Sequence, residues 1–214
     1  MARRTSAKQI EALLAVETNF VMGVVWEERA ALKRIVELSR QFGIHIVIPE
    51  IALVEARGSL LKRIDRQLDS LQQLRFWLND IARGAGMSGL VKDVKRGLDA
   101  IETKLQQHRH RVLKALDNFT ETCLTVPLMP EVWIKAYLRW QANLPPFKEL
   151  DCLILESLLN FLTQHKAQMA IFFTLDAEDF DHPEIHEAFR QRKALMLFDP
   201  HDVIVEFRKF YGVA

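Results

Sequence analysis

The sequence predicts an α/β fold, a parallel sheet covered by helices on both faces and interrupted by an inserted pair of helices. Three observations point there. Short segments dense in β-branched and aliphatic residues alternate with helical patterns, the rhythm of strand–helix–strand units. Those short segments are apolar throughout rather than every second residue, as expected of strands buried on both faces. The stretch from Arg57 to about Phe119 breaks the rhythm, because it contains no strand-like run at all.

IEALLAVET reads as the first strand, succeeded by a helical pattern from about Gly23 to Phe42 that Gly43 closes. IHIVIPE reads as a second buried strand, stopped by Pro49, with a helix beginning around Ile51. The interrupting stretch, residues 57–120, divides at the glycine-rich RGAGMSG and fits two helices joined by a turn. Its second helix places Val91, Val94, Leu98, Ile101, Leu105, His108, Val112, Ala115 and Phe119 at alternating three- and four-residue steps, a heptad seam. Leu61, Ile64, Leu68, Leu71, Leu74, Leu78 and Ile81 supply the facing stripe, so an antiparallel helical hairpin is expected. TCLTVPLMP resumes the rhythm as a short strand, and Pro130 with Glu131 opens a helix carrying Trp133, Tyr137 and Trp140. The three aromatics could stack RNA bases, but their helical spacing favours packing in the core. ELDCLILESLLNFL is nearly all apolar and reads as a helix buried on most sides. The strands AIFFTL and ALMLF come next, and Asp199 with Pro200 caps a last helix through Phe207. The expected organisation is a single domain over residues 1–214 with the hairpin inserted in it.

At 214 residues, with 49% hydrophobic and 27% charged, the chain can bury one sizeable core and is too apolar to be disordered as a whole. Cys123 and Cys152 form no CxxC pair, which argues against a disulfide scaffold or a thiolate zinc site and for a reducing, cytoplasmic setting. No stretch is long and uncharged enough to cross a bilayer, which takes about 20 apolar residues. No membrane partner is therefore expected.

Ligands of an open parallel sheet bind beyond the carboxyl ends of its strands, so acids at strand ends carry more weight than acids on helix faces. Glu17 comes after the first strand, Glu55 lies in the opening turns after the second, Asp151 opens the buried helix, and Asp176 and Asp179 come after AIFFTL. Each has an ordinary reading alone: strand-end charge, helix-face charge, helix N-terminal acid or turn former. Together they can converge on one edge, where clustered like charges call for a cation. An oxygen-only set without His or Cys favours Mg²⁺ or Mn²⁺ over zinc.

VETNF, IPEIALVEA, VPLMPEVW, ELDCLILESLL and FFTLDAEDF, in that order, resemble the PIN-domain ribonucleases, including the toxins of bacterial toxin–antitoxin pairs. The likeness covers both ends of the chain and leaves out the hairpin; it lies in the order and spacing of the motifs. It implies a three-layer α/β/α arrangement around a five-stranded parallel sheet in the order 3-2-1-4-5. It also implies a metal-dependent endonuclease that cuts RNA, usually single-stranded, leaving a 5′-phosphate and a 3′-hydroxyl. The residues that match the family's four acids are Glu17, Glu55, Asp151 and Asp176. Of these, Glu17, Asp151 and Asp176, joined by Asp179, are the implied holders of the metal. Thr18, Asn19 and Thr174 are the implied donors that orient the carboxylates. Glu17 stands where the family normally has an aspartate. Because Mg²⁺ demands near-octahedral geometry at about 2.0–2.1 Å, the extra methylene requires a retracted backbone or coordination through water. The alternative reading is thus a PIN-fold module, impaired at Glu17, that binds RNA or a protein. An antitoxin protein and a homodimer are the further partners the resemblance implies.

Whole-chain charge is nearly balanced, 29 basic against 28 acidic residues, yet from Arg57 to Lys114 thirteen basic side chains face only six acidic ones. The remainder is correspondingly acidic. Arg57, Lys62, Arg63, Arg66, Lys92, Lys95 and Arg96 are the residues expected to grip an RNA backbone, the alternative being a solvated helix exterior. His108 and His110, two residues apart, do not share a helix face and are not a metal pair. RGAGMSG comes after a helix and lacks the P-loop lysine, so a hairpin turn accounts for it.

Overall fold

The computed structural model describes residues 10–26, 29–84 and 88–213. The chain divides into two compact units, one made of residues 1–56 and 119–214 and the other of Arg57–Asn118.

The first unit is built on five strands: β1 (Ala12–Val16), β2 (His45–Pro49), β3 (Leu124–Val126), β4 (Met169–Phe173) and β5 (Ala194–Leu197). All pairings are parallel and the spatial order is β3-β2-β1-β4-β5, the order the resemblance implied. Every residue of β1 and β4 is buried, while the edge strands β3 and β5 are partly open, which is why the central segments read as unbroken apolar runs. Opposite Val16 of β1 lies Phe173 of β4, so the loops leaving these two strands start side by side.

The helices α1 (Thr18–Val25), α2 (Ala30–Phe42), α3 (Glu50–Gly84), α4 (Ser88–Thr120), α5 (Pro130–Gln141), α6 (Glu149–Gln164), α7 (Ala177–Phe180), α8 (Pro183–Arg190) and α9 (Pro200–Tyr211) complete the described elements. The single helix expected from about Gly23 to Phe42 is two helices, α1 and α2, and α1 begins already at Thr18, where the Glu17 side chain caps it by accepting the Asn19 N–H. Gly23 sits where α1 meets α2, and a Cβ there would collide with the buried Leu32 side chain. The expected αL cap falls on Gly43, with φ 71°, and Asp199 caps α9 by accepting the His201 N–H at 2.7 Å. The helices α7 and α8 are additional to those expected from the sequence. The latter starts at Pro183 and buries Ile185 and Phe189 one turn apart, with Phe189 stacking on Phe172 at 4.6 Å.

One expectation is overturned on α5. The buried face of that helix is Val132 and Ala136, whereas Trp133, Tyr137 and Trp140 are 46%, 41% and 36% exposed. Trp133 stacks on Tyr137 at 5.5 Å, and Tyr137 meets Trp140 at 6.1 Å. Helical spacing identifies a shared strip; it does not say which way the strip turns.

The second unit pairs α3 and α4 antiparallel. Arg75 reaches Asp99 at 2.5 Å and Glu102 at 2.7 Å, and Asp65 reaches Arg109 at 3.2 Å. Leu78, Val91 and Leu98 form a buried cluster with Leu71 and Ala82 packed on it. Only part of the expected seam is covered. Val91, Leu98, Val112 and Phe119 are buried, but Val94 and Ile101 are exposed, since one facing helix shields only one side of a heptad stripe. The expected turn RGAGMSG includes residues 85–87, outside the described residues.

Truncating Phe172, which stacks on Phe189 and meets Phe180 edge-on, should cost about 3–5 kcal/mol in urea denaturation for Phe172→Ala. Phe76→Ala, at a residue 71% exposed, should stay within about 0.5 kcal/mol of the parent.

Candidate metal centre

The strand register gathers the acids. Glu17 directly succeeds β1, and β4 beside it leads into Thr174, Leu175 and Asp176. Glu17 is 3% exposed; one carboxylate oxygen accepts the Asn19 N–H at 2.5 Å and the other the Leu175 N–H at 3.3 Å. The side chain thereby ties the loop after β4 to the start of α1. Burial, with the nearby Asp176 charge adding to it, outweighs these amides and the Phe20 N–H and pushes the Glu17 carboxyl up to about 7.

Glu55 lies half-buried in the second turn of α3 and accepts the Thr18 hydroxyl at 2.5 Å. Asp151 is half-buried in the first turn of α6, pushed up to about 7 by burial and by the Asp179, Glu55 and Asp176 carboxylates, against the pull of Lys148. Asp176 caps α7, accepting the Asp179 N–H at 3.2 Å, while its own N–H donates to Thr174 Oγ1 at 2.9 Å. Asp179 is buried and forms an ion pair with Lys148. Glu17, Glu55, Asp151, Asp176 and Asp179 therefore lie in one electrostatically connected group.

The three oxygen and amide donors divide differently from the sequence expectation. Thr18 donates its hydroxyl to Glu55, Asn19 acts through its backbone N–H with its side chain exposed, and the Thr174 hydroxyl accepts from the backbone. Lys148 is a further member of the site that sequence reasoning does not single out. Its only signal is a lone basic residue in PPFKELD, three positions ahead of an acid.

Among the described residues no three His, Cys, Asp or Glu side chains stand close enough to form a ready-made metal-ligand group. The carboxylates are committed internally: Glu17 to two amides, Glu55 to Thr18, Asp179 to Lys148. The donor chemistry nonetheless fits a hard divalent ion. All five groups are carboxylates, and two of them retain protons near neutrality because burial and neighbouring negative charge disfavour their ionised form.

The seven basic residues expected to grip RNA all belong to the second unit. Lys62, Arg63, Arg66 and Lys92 are exposed and Lys95 is half-buried. Arg57 faces Asp117 at 3.8 Å and Arg96 faces Asp93 at 3.5 Å, both pairs in the open.

For a carboxyl raised on folding, the native state keeps a proton that the unfolded chain has lost, so stability declines as pH rises from about 4.5 to 7. In chelator-treated protein Glu17 should cost on the order of 3 kcal/mol once pH exceeds about 7. Glu17→Gln should flatten part of the slope of Tm between pH 5 and 8 and melt higher than the parent at pH 8. The residual slope, from Asp151, should largely disappear in Glu17→Gln/Asp151→Asn.

Among curated proteins no sequence matches this chain. A solved structure it resembles is VapBC2 from Rickettsia felis bound to a DNA fragment from their promoter, at 10% identity, with 86% of this chain and 97% of that chain covered and a TM-score of 0.47. The sequence profile of the PIN domain matches residues 14–180, from within β1 to the end of α7 and across both units. A match over that share of the chain shows its family: the protein belongs to the PIN-domain family.

Proposed function

We propose that the protein is a metal-dependent endoribonuclease that hydrolyses phosphodiester bonds of single-stranded RNA at the Glu17, Glu55, Asp151, Asp176 and Asp179 group. PIN domains are generally nucleases. The observation that carries the reading is the convergence of five carboxylates from four separate segments beyond the carboxyl ends of β1, β2 and β4, where a parallel sheet presents ligands.

Asp151, Asp176 and Asp179 would hold Mg²⁺ or Mn²⁺. A bound ion supplies a water of lowered pKa and stabilises the charge that develops on the phosphate and leaving oxygen. Glu17, with both oxygens held by amides, would act through a water from behind the ligands, which accommodates its extra methylene. Glu55, anchored by Thr18, would orient the attacking water and accept its proton. Thr174 fixes the backbone of Asp176, and Asp176 fixes that of Asp179, so the two ligands are set relative to each other. The open basic side chains of the second unit would supply sequence-independent phosphate contacts.

The second reading, an impaired PIN module that binds RNA or a protein, is favoured by one observation: Glu17 spends both oxygens on backbone amides. A role as the toxin of a toxin–antitoxin pair, an antitoxin partner, a homodimer and a cytoplasmic location complete the proposal on the strength of the family. No described helix is long and apolar enough to cross a membrane.

Purified protein should cleave single-stranded RNA with Mg²⁺ or Mn²⁺ and not with EDTA, and Asp151→Asn and Asp176→Asn should each lower the rate about 100-fold or more. Metal-independent cleavage, or full activity in both variants, would refute the reading. Under the second reading the parent is inactive and Glu17→Asp gains cleavage. Reversing Lys92, Lys95 and Arg96 to Glu should weaken RNA binding for all sequences and reduce the slope of log affinity against log salt by about 2–3.

A further inference from the structure

Lys148 takes up the charge of a carboxylate that the proposed function assigns to a metal ion. It precedes α6 in extended conformation, with φ −93° and ψ 141°, and makes no capping hydrogen bond there. Its side chain is 66% exposed, whereas the Asp179 side chain it pairs with is 11% exposed. The ammonium thus reaches inward from solvent to a buried acid. Asp179 holds the lysine above its usual range, and the Asp151 and Asp176 charges act in the same direction. The buried partner gains most from a cation, because an ionised carboxylate out of water needs pairing. The exposed stem can leave without repacking any core, since a lysine chain in solvent samples many rotamers.

We propose that Lys148 is a resident counter-cation that a divalent ion must displace from Asp179, so that metal affinity is set by this exchange. The proposal rests on the assignment of Asp179 to the metal-holding group. In the metal-free protein the ammonium relieves repulsion among Asp151, Asp176 and Asp179; on loading, a divalent ion supplies more charge at the same place and the lysine returns to solvent. Lys148 is a positioning residue in this scheme, acting through Asp179.

The test is Mn²⁺ binding to the full chain, monitored by electron paramagnetic resonance of free Mn²⁺ and by the Tm shift on titration. Lys148→Met should bind Mn²⁺ about fivefold tighter or more and melt lower than the parent without metal. Lys148→Arg should stay close to the parent, and Lys135→Met, which removes an exposed charge on α5, should leave the affinity unchanged. If the parent binds Mn²⁺ and Lys148→Met binds it equally or more weakly, the exchange is refuted while the metal-dependent reading stands. If neither binds Mn²⁺, both fall. Should Lys148→Met fail to fold, ¹⁵N-lysine spectra of the parent decide: a hydrogen-bonded ammonium signal that is lost on adding Mg²⁺ supports the exchange, and a signal indifferent to Mg²⁺ overturns it.

Discussion

The parallel pairing of β1 with β4 is the constraint on which the rest of the first unit depends. With Val16 opposite Phe173, the chain leaves both strands at the same height, so Glu17 meets the Leu175 amide and feels the Asp176 carboxylate. A slip of one residue would turn every buried side chain of β1 to the other face and would move Glu17 off the loop it holds. The order β3-β2-β1-β4-β5 then places the β2-to-α3 junction, and with it Glu55, on the other side of Glu17. Thr18 spans that gap with one hydrogen bond. A buried glutamate in such a place opposes folding near neutral pH, and the two strands that flank it contribute the apolar burial that offsets the cost.

Burial decides how much of the fold is legible in the sequence. β1, β2 and β4 are readable because strands covered on both faces have no polar alternation to confuse with a loop, and the acids are readable because they sit where such strands end. The expectation that Glu17, Glu55, Asp151 and Asp176 stand at the family's acid positions rests on order and spacing, which a linear string preserves. Direction is not preserved in that way. Trp133, Tyr137 and Trp140 share a strip at helical spacing, but the strip's orientation depends on which small residues, here Val132 and Ala136, meet the neighbouring helix. Val94 and Ile101 differ from expectation for a related reason, since a heptad pattern states what could be buried and the number of facing helices decides what is.

Lys148 is hidden in the sequence for yet another reason. Its partner is 31 positions away, and pairing over that distance leaves no periodic trace. The same holds for the Thr18 hydroxyl on Glu55, 37 positions apart. Contacts of this kind are fixed only after the sheet has assembled, so they belong to tertiary geometry and not to local pattern. They leave Glu55 and Asp179 with partners inside the chain, as the two amides do for Glu17, in a group whose described residues form no ready-made ligand set.

The place of β4 in the sheet has a consequence for how the protein is made. Glu17 and Glu55 leave the ribosome before β4, and the central strand β1 lacks its neighbour on one side until Met169–Phe173 has been synthesised, with Asp176 and Asp179 later still. A nascent chain released or stalled before that point carries only part of the acid group and an unpaired edge where β4 should lie. A chain that has not yet made β4 therefore also lacks two of the five carboxylates.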